Sequence, residues 1–216
     1  MSHSLPGIAG ETEVESALET SMAYVSPIEP QSAPELEAVF DRMSAVLGFV
    51  PNSILTMARV PGLGAAFTAL AGPILRNDLL EPGLVQMIAL AASNAAGSRY
   101  CQAHTSHTGH RVGVDEAKLA DVYRFESSDR FDDAEKAALR LAFAAGSVPN
   151  MSSSAHFDAL RRHFDETQIA AIVAVVSLFG FLNRWNDTMG TELEPAARQF
   201  GERVLAGEGW EVGKHG

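Results

Sequence analysis

The stretch IAAIVAVVSLFGFL, Ile169 to Leu182, is the longest apolar run in the chain. It is shorter than the roughly 20 residues a membrane span needs. Asp165 precedes it with Gln168 three residues on, the signature of a capping box. The run therefore reads as a buried core helix, around which the other segments have to pack. Asp132 with Glu135 repeats the signature ahead of AEKAALRLAFAAG. Ser32 with Glu35, and Pro34 early in the first turn, predicts a third start, for a helix that stops at Gly48.

Between these helices, VPNSILTMARVPG reads as a turn, a short helix and another turn, with Pro61 opening a helix toward Leu75. EPGLVQMIALAASNAAG places Leu84, Val85, Ile88, Ala91 and Ala92 at the spacing of a buried helix face. Gly97 breaks or bends it, and the next segment is helical to Gly113, a C′ position. No run alternates polar and β-branched residues, so the fold is expected to be all-α.

The 216 residues, 46% of them apolar, suit one domain with a real core. That domain is expected over residues 32–201, between a flexible N-terminal arm (1–31) and a flexible C-terminal tail (202–216) that Trp210 could anchor. VPN at 50–52 and again at 148–150 suggests two copies of one helical unit, in which Cys101 stands opposite Trp185 and Gln102 opposite Asn186.

A net charge of −11 argues against nucleic acid and against an anionic membrane surface. The opening MSHSLPGIAGETEVES lacks the basic and apolar regions of a secretory signal, so a soluble cytoplasmic protein is expected. A lone cysteine excludes an intramolecular disulfide, so any redox cycle has to borrow a second thiol.

That cysteine heads the segment SRYCQAHTSHTGHRVG, in which Cys101, His104, His107 and His110 recur at every third position. At about 100° per residue, each such step drifts about 60° around the helix. The four groups cannot converge on one ion, and no second metal-binding clip is present, so neither a metal nor another cofactor is expected. A reactive thiol is the sharper reading. Cys101 follows the Gly97 break at a helix start, where the positive end of the dipole lowers a thiol pKa, and His104 one turn on is placed to accept its proton. A small buried cysteine among ordinary histidines is the plain alternative.

GFVPNSILTMARVPG, LVQMIALAASNAAGSRYCQAHTSHTGHRVGV and VSLFGFLNRWNDT together resemble the carboxymuconolactone decarboxylase and AhpD-like alkylhydroperoxidase superfamily, nearest its uncharacterised peroxidase-related branch. The resemblance runs from about residue 33 to 200 and implies an AhpD-like helical bundle that forms homo-oligomers. It makes Cys101 the peroxide-reactive cysteine. Ser98 stands where the resolving cysteine would be, and Gln86 where the relay glutamate would be. His104 follows the cysteine by three residues, while Thr105 occupies the place of a relay histidine four residues on. Without a second cysteine, the two-cysteine cycle is impossible within one chain.

Three functions follow as expectations. The first is a one-cysteine, thiol-dependent hydroperoxide reductase or related redox enzyme acting on a small molecule. Cys101 is its nucleophile, His104 promotes the thiolate, Ser98 and Gln86 supply hydrogen bonds, and an external thiol is the reductant. Arg99, Tyr100, His107, Trp185 and Asp187 are expected around the substrate, with Trp185 a wall and Asp187 a replacement acid. The second is a cofactor-free lyase using Arg99, Arg184, His104 and His107. The third is a non-catalytic helical oligomer that binds a small molecule, with a buried and unreactive Cys101.

Overall fold

The computed structural model describes residues 23–216. It is 69% helical, and its described residues contain ten helices and no strand. The helices are α1 (Glu37–Leu47), α2 (Asn52–Met57), α3 (Leu63–Leu75), α4 (Pro82–Ala95), α5 (Arg99–Arg111), α6 (Glu116–Asp121), α7 (Asp133–Gly146), α8 (Ser154–Leu160), α9 (Glu166–Met189) and α10 (Pro195–Val204).

Asp132 and Asp165 form the expected capping boxes of α7 and α9. The start expected at Ser32 differs. Pro30–Ser32 and Pro34–Leu36 are 3₁₀ turns, and α1 begins after Leu36 without a side-chain cap. Two prolines spaced four apart each fix φ and remove a donor, which favours two short turns over one helix. Gly97 makes the expected break with φ 74°, and Gly113 the expected end with φ 98°.

Helix α4 is the centre. Ile88, Ala89, Leu90 and Ala91 are fully buried, against α5, α7 and α9. Small residues permit this crowding. A Cβ on Gly146 would lie 2.8 Å from the backbone oxygen of Ala92, so α7 approaches α4 as only glycine allows. Each buried leucine or isoleucine contributes about 1.5–3 kcal/mol.

A second cluster gathers Leu36, Phe40, Ile54, Met57 and Phe67 under Leu178 of α9. The same helix buries Ile169, Ile172 and Val175 in the first cluster, so the apolar run is the spine of both. It is the one helix among the described residues with the length and composition to cross a membrane. Its outer face, with Val173 and Phe181, and Leu70 of α3, is exposed.

The two segments that share VPN take different forms. The first becomes α4 and α5, split at Gly97; the second runs unbroken as α9. The N-terminal arm lies outside the described residues up to residue 22, and from there Tyr24 N donates to Met189 O at 2.9 Å. Residues 202–216, where a mobile tail was expected, fold back on the bundle. Trp210 Nε1 donates to Arg99 O at 3.1 Å, and both Trp210 and His215 are buried. A buried indole N–H needs an acceptor, and the first turn of α5 supplies it.

Candidate active site

The break at Gly97 turns the chain so that α5 starts inside the core. Ser98 is its N-cap, and Tyr100, Cys101 and Gln102 of the first turn are all buried. The regular spacing of cysteine and histidines then sends them four ways. Cys101 faces α9, where Asn186 Nδ2 donates to its Sγ at 3.5 Å. His104 Nε2 lies 2.5 Å from Glu194 Oε2. His107 stacks on Phe49 with centroids 5.9 Å apart, and His110 pairs with Glu116 at 3.6 Å. Among the described residues, no three His, Cys, Asp or Glu side chains gather as metal ligands would.

Burial dominates the electrostatics of the thiol. It pushes the Cys101 pKa up to about 11, while the neighbouring Ser98 hydroxyl and the Asn186 amide act the other way and the Asp187 charge adds to the rise. The lowering expected from a helix start beside a histidine does not appear. The cost of burying the thiolate outweighs what a helix start supplies, and His104 turns to Glu194 instead of the thiol. In the resting protein Cys101 is a protonated thiol with hydrogen-bonding groups on two sides.

Beside it lies a buried network centred on Glu194. The carboxylate accepts from Asn52 N at 2.5 Å, from Tyr100 Oη at 3.0 Å and from His104 Nε2. Burial works to raise its pKa, but the charge and hydrogen bond of His104 together with the backbone N–H of Asn52 and its own backbone N–H hold the group below the usual carboxylate range. Tyr100 stacks on His104 at 4.3 Å and accepts from Ser53 N. Below this network, His215 Nδ1 lies 2.7 Å from Thr191 O and its Nε2 lies 3.2 Å from Asp187 Oδ1.

Measured against expectation, Ser98 sits beside Cys101, and Tyr100 and His104 flank it on the helix. Gln86 does not reach it: its Cβ faces Gly109, two turns further along α5 and so about 12 Å away. Trp185 turns from the thiol to donate to Thr56 Oγ1 at 3.0 Å and stack on Phe181. The α9 residue on the sulfur is its neighbour Asn186. Asp187 lies close by through its link to His215. Arg99 is half-buried and contributes its carbonyl to Trp210. His107 borders an open cleft of about 530 Å³ with His110, Arg111, Phe200 and Arg203. Burial, then the nearby His104 and Arg111 charges, lower its pKa.

Sequence reasoning missed Glu194 and His215. Glu194 carries only the signal of a glutamate before a helix-opening proline, and His215 sits in a glycine-rich stretch with no periodicity.

The family model of the carboxymuconolactone decarboxylase family matches residues 61–144. No curated protein matches the chain by sequence. The debrominase Bmp8, solved as a cysteine-to-alanine variant in complex with 2,3,4-tribromopyrrole, is 39% identical. The match has a TM-score of 0.79 and covers 83% of this chain and 96% of that one. An uncharacterized peroxidase-related protein from Ralstonia eutropha JMP134, with an AhpD core, is 24% identical at a TM-score of 0.74, covering 82% and 95% of the two chains. A peroxidase-related protein from Silicibacter sp. TM1040 is 22% identical at 0.66, covering 83% and 92%.

Proposed function

The chain belongs to the carboxymuconolactone decarboxylase and AhpD-like superfamily, and from that premise we propose that it is a one-cysteine, thiol-dependent reductase of small halogenated aromatic molecules. The observation that carries this reading is the setting of Cys101: the chain's one thiol, deep in the core, between the hydroxyl of Ser98 and the amide of Asn186. A cysteine that only filled space would need neither polar neighbour. The similarity to a debrominase whose pyrrole complex was obtained with a cysteine replaced favours a halogen as the atom attacked.

The chemistry balances with an external thiol. The Cys101 thiolate attacks the halogen, a sulfur–halogen bond forms, the carbon–halogen bond breaks, and the ring carbon keeps the electron pair and takes a proton. One external thiol then displaces halide to give a mixed disulfide, and a second releases Cys101. The sum is one aryl halide and two thiols going to one arene, one disulfide and one hydrogen halide. A hydroperoxide would pass through the same cysteine as a sulfenic acid. Asn186 donates to the sulfur and the Ser98 hydroxyl stands beside it, and both favour the charge that attack requires.

The test is bromide release from 2,3,4-tribromopyrrole, and alcohol formation from cumene hydroperoxide, with dithiothreitol as reductant. The reading expects bromide release in step with thiol oxidation and its loss by at least about 10³-fold in Cys101→Ser. Full turnover in that variant, or sustained bromide release without reductant, would refute the thiol mechanism.

A further inference from the structure

Buried polar side-chain atoms nearly always have a partner. Among the described residues five do not: Ser98 Oγ, His107 Nδ1, Asn183 Oδ1, Asn186 Oδ1 and Thr191 Oγ1. Two of the five, Ser98 Oγ and Asn186 Oδ1, belong to the residues that flank the Cys101 thiol. Ser98 adjoins the Cys101 thiol. Asn183 and Asn186 are one turn apart on α9, and Thr191 N donates to Asn186 O at 3.1 Å. The only thiol in the chain is thus flanked by two buried side chains that each keep an unpartnered oxygen.

Asn186 is the member bonded to the sulfur. It is fully buried, its Nδ2 donates to Cys101 Sγ at 3.5 Å, and its backbone carbonyl is taken by Thr191. Only Oδ1 remains, an acceptor with two lone pairs. An amide is planar with its two ends side by side. Oδ1 shares its carbon with the nitrogen that meets the sulfur, so the unpartnered acceptor lies close to the thiol.

On the thiol chemistry proposed above, we infer that Asn186 Oδ1 accepts a hydrogen bond from the substrate. The site thereby selects halogenated rings that carry an N–H donor near the carbon–halogen bond Cys101 attacks. A ring with oxygen in place of the N–H would set lone pairs against that carbonyl and leave it unpaired. Sites built around a buried hydrogen bond reject analogues lacking the donor far more strongly than sites that sense size alone.

The test is calorimetric binding of 2,3,4-tribromopyrrole and 2,3,4-tribromofuran to Cys101→Ala protein, which cannot react. The pyrrole is expected to bind at least about tenfold more tightly. Adding Asn186→Ala should bring the two within about twofold, while adding Ser98→Ala should keep the preference. A readout that needs no second variant is the proton shift of nitrogen-15-labelled pyrrole bound to Cys101→Ala, expected downfield of the free ligand. Equal binding, no binding, or an unmoved shift would overturn the inference. Bromide release by wild-type protein is scored separately. A preference without Cys101-dependent release would sink the thiol reading, and release without a preference would sink this one.

Discussion

His104 Nε2 lies 2.5 Å from Glu194 Oε2, although Cys101 is one turn away on the same helix. The imidazole thus braces the 190–194 loop against α5. Removing one member of such a buried pair strands the other. Glu194→Ala is expected to cost about 3 kcal/mol in urea unfolding, and Glu194→Ala with His104→Ala less than the sum of the two singles. The folded pKa of Glu194 is depressed, so its contribution is complete above the ordinary carboxylate range and is lost as pH falls through the folded value. Stability of the wild type should therefore fall on acidification more steeply than that of the double variant.

The Cys101 thiol, with its pKa near 11, should be slow to alkylate. Iodoacetamide labelling is expected to rise about tenfold per pH unit from neutrality to beyond pH 9, without a plateau. A plateau below pH 8 would show an activated thiolate in the resting protein.

Ser98 lies three residues ahead of Cys101 with its side chain beside the sulfur. Ser98→Cys should therefore supply an internal resolving thiol. After one equivalent of hydroperoxide, both thiols should be lost together to a disulfide within one chain, read by intact mass under non-reducing conditions. Retention of two free thiols would show that the pair cannot meet.

Trp210 closes the folded-back segment on Gly201, where an added Cβ would lie 2.8 Å from the indole ring. Gly201→Ala gains helix propensity but forces a rigid ring to move. The net expected effect is a loss of about 1–2 kcal/mol, a red-shifted Trp210 emission and faster alkylation of Cys101. Unchanged labelling with shifted fluorescence would show that the segment does not control access to the thiol.

The helices were legible in the sequence because local chemistry writes them there. The Asp132 and Asp165 caps, the Gly97 break and the one-sided apolar spacing of α4 are read within a few residues. The cysteine was legible too, and so was Ser98 beside it. What surrounds them was not. Glu194, Asn186 and His215 reach Cys101, Tyr100 and His104 from far along the chain, through packing that no short-range pattern records. The expected opposition of Cys101 to Trp185 misses by one residue of α9, because Asn186 is the side chain that meets the sulfur. One residue on a helix is about 100°, enough to exchange an amide for an indole. The depressed thiol pKa was expected from helix position and lost to depth of burial, a tertiary property.

The most direct test of the central claim is a single turnover without reductant. The protein is mixed with one equivalent of 2,3,4-tribromopyrrole in the presence of a sulfenyl trap such as dimedone, then followed by intact mass and peptide mapping. If Cys101 takes the halogen, one label per chain appears on Cys101 in step with bromide release, and Cys101→Ser protein shows neither. Bromide released from protein that stays unlabelled would contradict the account.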